Sequence, residues 1–446
     1  MLGRFINNNS FLELLFLAWL FTIPFGSKIF HISIGFATLY PSLVLGFILL
    51  VFNLKNLFKL TKIEKLVGLV LIMFLIQSVC QYFYVMGKKE GLFDIHSIIL
   101  FNLYYFNLIS SRYHFRSIEY VNLLNKGISF FAFFLLIFGI IESLLGIHIA
   151  GSYTFKLQNG IATDFYSPLF IYDNPNDFLV YSIGSTFLMF LFDNKKLENK
   201  VLTFSAISLN LFFAHIAMSR FATILLLVLL SIFIWKFFIN KLTLSRLSLF
   251  FIPFLLLILL NKTYWGPIII TQLEKFKEHP SEALLVKNKQ KIVLKNKPVL
   301  EDTTIKKLDS FTLRKNLVLN GITYFKKSPL MGIGPGQFRF KLSRNQSFYP
   351  IDKNSSPHNY LIEMISQYGV LGGIIFLIPI TLFVSKIIKR KWSFLYAMLV
   401  FLYYLEGVMP SSFLYLDINW ILFSSIILCF SEDFIKFKSF SRVSVS

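Results

Sequence analysis

Apolar runs of roughly 15 to 25 residues recur along most of this chain, the length an α-helix needs to cross about 30 Å of hydrocarbon. In lipid the backbone N–H and C=O groups have no water to bond to, so such runs commit the chain to a bundle of spanning helices. Twelve spans are expected, at about 11–25, 32–52, 66–86, 96–110, 128–146, 177–192, 201–217, 221–238, 247–260, 370–386, 393–409 and 413–430. Composition supports this: 55% of the 446 residues are hydrophobic, 54 are Phe, and mean hydropathy is +0.65. The first run is followed by Pro24-Phe25-Gly26 with no small-residue cleavage site, so it reads as a retained span.

Charge sets an orientation. With the N-terminus inside, segments 1–10, 53–65, 111–127, 193–200, 239–246, 387–392 and 431–446, with their boundaries, hold 21 Lys and Arg. The short outer loops hold 5: Lys28, Lys88, Lys89, Lys156 and Arg220. This bias is the one expected of cytoplasmic loops, and it puts both termini in the cytoplasm. The net charge of +21 is therefore largely topological and does not indicate nucleic acid. Cys80 and Cys429 fall inside expected spans and form no metal-ligand spacing.

The fold class expected is an all-α polytopic membrane protein with about twelve spans and one large, mainly helical periplasmic or extracellular loop. Three regions follow: an N-terminal membrane region at 1–260, the loop at 261–369, and a C-terminal membrane region with its tail at 370–446. Within 261–367 there are 18 Lys and Arg against 8 Asp and Glu, so the loop is itself basic. Its second half is patterned: Asp309 or Ser310 suits the cap of a helix over about 311–327, ending before Pro329. On that helix Arg314 continues a stripe with Val318, Ile322 and Phe325, aimed either into a cleft or at the interface by snorkelling. Next come Gly332, Gly334 and Gly336, alternating glycines that suit either a packing turn or a loop presenting amides to phosphate. No Gly-Lys-Ser/Thr follows, so this is not a P-loop.

The most informative stretch is Ser355-Ser356-Pro357-His358-Asn359, with Gly369 and Gly372 downstream. Pro357 suits the first position of a helix capped by Ser356 and stopped by a left-handed Gly369. His358 then sits in the first turn, where the helix dipole favours neutral imidazole, the form a general base needs. The alternative is a histidine packed at a loop–membrane junction. Ser219-Arg220 places an arginine between two spans, where it either anchors at the interface or meets an anion. Asn174-Pro175-Asn176-Asp177 is a turn and helix cap by its chemistry, with Asn174 and Asn176 possible acceptor-sugar contacts.

In this order, Asn-Pro-Asn, Ser219-Arg220, Arg314 before the glycine turn, and His358-Asn359 with Gly369 and Gly372 resemble the O-antigen ligase and polymerase family of bacterial envelope glycosyltransferases. The resemblance covers about 170–375; the earlier spans match in hydropathy alone, and Gln367 stands where the family often has glutamate. It implies a metal-independent, inverting transfer of a glycan from undecaprenyl diphosphate to an acceptor hydroxyl, on the outer face of the bacterial inner membrane and without a cofactor. His358 would be the base and Arg220 and Arg314 the diphosphate contacts. Ser219, Asn359, Gly332, Gly334, Gly336, Gly369 and Gly372 are supporting positions. The partners implied are the lipid-linked donor, a lipid A-core or other glycan acceptor, and membrane lipids. Ligase-type transfer is the first reading and polymerisation the alternative. A transporter or flippase is a third, disfavoured because its coupling carboxylate would have to be Glu142, Glu406 or Asp417, all toward span ends.

Overall fold

A computed structural model describes residues 8–25, 32–34, 37–145, 175–192, 197–217, 219, 222–223, 225–227, 229–230, 310–344, 346–351, 359–389, 394–407, 412 and 414–431. Helix α1 (Asn8–Thr22) runs into a 3₁₀ turn, Ile23–Phe25. A short antiparallel hairpin follows, β1 (Ile32–Ile34) on β2 (Ala37–Leu39), with Ser33 opposite Thr38. Then come α2 (Pro41–Leu57), α3 (Lys62–Tyr82), α4 (Lys88–Ser111), α5 (Ser117–Leu145), α6 (Pro175–Phe192) and α7 (Leu197–Ile216). The C-terminal part contributes α8 (Ser310–Lys327), α9 (Gln337–Ser343), α10 (Tyr360–Ile388), α11 (Phe394–Glu406) and α12 (Asp417–Phe430).

Four of these helices, α3, α4, α5 and α10, are long and apolar enough to cross a membrane, and α1, α2, α7, α11 and α12 contain shorter apolar stretches. The protein is therefore a helical, membrane-embedded one, with the small hairpin as the departure from all-α among the described residues. Two expected spans change. The run at 32–52 starts as the hairpin because Pro41, which has no N–H and a fixed φ, takes the first helical position after Tyr40. The short run at 96–110 belongs to a 24-residue helix that begins at Lys88, about 36 Å long. The expected span at 247–260 and the part of 221–238 after residue 230 lie outside the described residues, and the boundary drawn at 369/370 falls inside α10.

The helices are patterned for lipid. On α3 the inward face carries Glu64, Gly68, Ser78 and Gln81, while Leu66, Leu69, Met73 and Ile76 are exposed. On α10 the exposed stripe is Val370, Ile374, Leu377 and Val384. Polar groups thus turn to one another, where hydrocarbon cannot satisfy them. Asn53 donates to Asn107 Oδ1 (3.2 Å) and Ser111 Oγ (2.9 Å), and Asn107 donates to Gly46 O (2.8 Å), stitching α2 to α4. α4 is the hub, packed by α2, α3, α9 and α12, and α10 joins α3, α8 and α11.

At the end of α4 away from Lys88, Arg112 donates to Glu64 Oε2 (2.9 Å) and to Ser431 Oγ (2.6 Å). The same carboxylate accepts from Thr61 N (2.8 Å) in a capping box that starts α3. The Glu64 side chain is 1% exposed, so Arg112→Met strands a buried charge. We expect that variant to lose about 3–5 kcal/mol of stability, with partial recovery in Arg112→Met/Glu64→Gln, read from unfolding in detergent. Equal stability of the parent and the single variant would show that the pair contributes nothing.

Candidate active site

The site region is organised by a backbone-to-backbone fit between the glycine turn and α10. Gly332, Gly334 and Gly336 all have positive φ. The amide of Ile333 donates to Ser366 O and that of Gly334 to Gln367 O (both 2.9 Å), and Val370 N donates back to Pro329 O (3.0 Å). At Gly332 a Cβ would lie 2.3 Å from the Gln367 carbonyl carbon, and at Gly369 one would lie 2.5 Å from Leu330 O. Only glycine allows two main chains so close. From α3, Gln77 donates to Met331 O and Tyr368 O (3.1 Å each) and Gln81 also donates to Met331 O. The turn's amides are thus engaged within the fold and act in packing.

This fit explains a departure from the expected end of the helix. Gly369 has the positive φ expected of it (61°), but its ψ of −140° is not that of a left-handed helical stop, and α10 continues to Ile388. Pro329 O takes the amide that leaves the helical ladder, so the chain kinks there and resumes. Gly372 lies just beyond the kink, and a Cβ there would be 2.3 Å from Met364 O.

The start of α10 also differs. Asn359 is the N-cap, its Oδ1 accepting from Ile362 N (3.1 Å), and Tyr360 is the first helical residue. Asn caps at least as well as Ser, so Ser356 and Pro357 do not open the helix. His358 precedes the N-cap in sequence and lies outside the described residues. Around the first turn, Tyr360 N donates to Gly407 O (2.9 Å), Tyr403 OH meets Tyr360 OH (2.7 Å), and Ser412 Oγ donates to Glu363 Oε1.

α8 packs across this end of α10 through a cluster of Leu317, Tyr324, Phe338, Leu342 and Ile362. A Cβ on Gly321 would be 2.2 Å from Ile362 Cγ2. Asn320 holds the chain that leads toward His358: its Oδ1 accepts from Phe348 N (2.7 Å) and Tyr349 N (3.1 Å), while Asn316 donates to Pro350 O (2.7 Å). Tyr324 donates to Gln346 O (2.9 Å), and burial lifts its phenol to about 12, so it remains a donor at neutral pH. Ile351 packs on the same cluster. The described residues on either side of 352–358, Ile351 and Asn359, are thus both held in the fold.

Of the other expected site residues, Arg314 is exposed on the flank of α8, beside half-buried Val318 and Ile322, and the buried face is Leu317, Asn320 and Tyr324. Ser219 N donates to Ala214 O and its carbonyl accepts from Thr223 N (both 3.0 Å). Asn176 is half-buried in the first turn of α6. Arg220 and Asn174 lie outside the described residues.

One residue at this end escaped the sequence reading. Asp94 is 1% exposed; its Oδ2 accepts from Gly336 N (2.8 Å) and Tyr368 OH (2.6 Å), and its Oδ1 from Tyr415 OH (2.6 Å). A carboxylate on an apolar helix was the available signal, hidden by starting that span at 96. Removing it strands three donors, each worth about 1–3 kcal/mol when buried and unpaired. Asp94→Ala is therefore expected to destabilise the protein more than Tyr415→Phe or Tyr368→Phe, as read by thermal unfolding. A smaller effect than either phenylalanine variant would refute the hub.

Among curated proteins, no significant match to the chain was found. Residues 203–377 match the family model described as O-antigen ligase. That stretch holds Ser219-Arg220, Arg314, the glycine turn, His358-Asn359 and the α10 kink, so this part of the chain is similar to the O-antigen ligase family, and the match supports a membrane enzyme of the ligase or polymerase type in polysaccharide biosynthesis.

Proposed function

We propose that the protein transfers a glycan from undecaprenyl diphosphate to an acceptor hydroxyl, in the manner of an O-antigen ligase. The observation that carries this reading is the family match over 203–377, which includes each residue assigned to the chemistry. His358 accepts the proton of the acceptor hydroxyl while that oxygen attacks the anomeric carbon. The bond from that carbon to the diphosphate breaks, and undecaprenyl diphosphate departs with the electron pair. Arg220 and Arg314 meet the diphosphate as its charge grows, a task suited to the planar, permanently charged guanidinium. A single displacement inverts the anomeric centre, and no metal enters the scheme. The anchoring of residues 351 and 359 on α8 and α10 supports this assignment, because a base works only at a fixed distance from its proton. The reaction takes place on the outer face of the inner membrane, with the loop around 270–350 outside and both termini inside.

Purified variants test the roles separately. His358→Ala is expected to lower transfer by about 10²–10⁴ while donor binding persists. Arg220→Lys keeps charge but loses the bidentate fork, and is expected to weaken both donor binding and transfer. Normal turnover in a folded His358→Ala protein would remove the histidine from the chemistry. The envelope glycans of a deletion strain separate the two family reactions: carrier-linked polymer that never reaches its acceptor marks a ligase, and single repeats on the acceptor mark a polymerase.

A further inference from the structure

Arg339, on α9, lies over the ring of Tyr415 with its guanidinium carbon 4.5 Å from the ring centroid. Tyr415 is in turn held by Asp94, and Asp94 by Gly336 N and Tyr368. The arginine is near enough to Asp94 for their charges to interact, yet among the described residues it forms no ion pair and no hydrogen bond. Half-buried and stacked on the ring of Tyr415, the guanidinium has N–H groups that no described residue engages. Its surroundings are those of the active-site end: α9 packs on α10 and α4, and its Phe338 is in the cluster that ties α8 to Ile362. Asp94 is six residues into α4, about 9 Å along that helix, so the stack lies within a turn or two of that end of a helix long and apolar enough to cross a membrane. The planar, permanently charged fork of a guanidinium in such a place suits the oxygens of a phosphate.

We propose that Arg339 is a further oxyanion contact of this enzyme, binding a phosphate of a lipid-linked substrate, with Asp94 and Tyr415 as the residues that position it. The proposal rests on the transfer function set out above. The phosphate has two sources, the diphosphate of the donor and a phosphate on the acceptor lipid, and both present the same chemistry to a guanidinium. The competing role is that of a counter-charge for Asp94 alone.

The test uses the full-length protein in nanodiscs, with undecaprenyl diphosphate lacking any glycan as the donor-side probe and the acceptor KM as the other readout. Arg339→Gln is expected to weaken one of these by about 10- to 100-fold, as for loss of charge-assisted hydrogen bonds, with kcat changed less. A weaker Kd assigns the arginine to the donor; a raised KM with unchanged Kd assigns it to the acceptor. Arg339→Lys retains charge beside Asp94 and is expected to recover only part of the loss, and it carries the test if the Gln variant does not fold. Unchanged Kd and KM in either folded variant would overturn the proposal. So would full recovery in Asp94→Asn/Arg339→Gln, the result a mere counter-charge gives. Failure of the parent protein itself to bind undecaprenyl diphosphate would remove the proposed function and this inference with it, whereas binding by the parent and equal binding by its variants removes the inference alone.

Discussion

Three segments far apart in the chain meet at the carboxylate of Asp94: the amide that opens α9, the phenol of Tyr368 beside the α10 kink, and the phenol of Tyr415 before α12. A buried carboxylate is stable only when its oxygens are bonded, and a donor aimed at it is stable only when it is there. The rest of the C-terminal arrangement follows from that mutual requirement. Gly336 reaches Asp94 only because the glycine turn lies flat on α10, and the turn lies flat only because Gly369 gives up the regular helix. The kink in turn fixes the direction of the first turns of α10, the part that follows His358 directly.

The same logic accounts for the division of labour along the chain. In the membrane, apolar burial does not discriminate between helix faces, since lipid is as apolar as a packed side chain, so polar contacts and close backbone approach define which faces meet. Asn53 and Asn107, Glu64 and Arg112, and Gln77 and Gln81 hold the N-terminal helices to one another and to the C-terminal part. Groups carried on a connection between elements depend on such a frame for their position. Here the frame is α4 with α8 and α10, and in sequence His358 falls between two anchored residues, Ile351 and Asn359.

Much of this was legible from sequence because hydropathy and glycine spacing report strong constraints. The helix at 310–327, the special dihedrals of Gly332, Gly334, Gly336 and Gly369, and the bundle class all follow from such signals. Other features depend on partners that local patterns cannot name. Whether Ser356 or Asn359 caps a helix is a contest between two good caps, decided by Gly407 and Ser412 receiving the turn that begins at Tyr360. Gly369 looks like a stop until Pro329 O supplies the missing acceptor for Val370 N, from 41 residues upstream of that amide. The β-branched residues of 32–39 formed a hairpin inside an apolar run that hydropathy alone reads as a span. Asp94 and Arg339 were passed over for the same reason, as their meaning lies in Tyr415, which is distant from both.

The central claim is that this bundle performs a group transfer in which undecaprenyl diphosphate leaves as the glycan arrives on its acceptor. The most direct measurement is a reconstituted reaction containing only the purified protein, the lipid-linked glycan and a candidate acceptor, with both products quantified by mass spectrometry. The account predicts one undecaprenyl diphosphate released for each glycan transferred, with the anomeric configuration of the new linkage inverted. Movement of intact donor across a proteoliposome membrane, with no glycosidic bond formed on any acceptor, would contradict it.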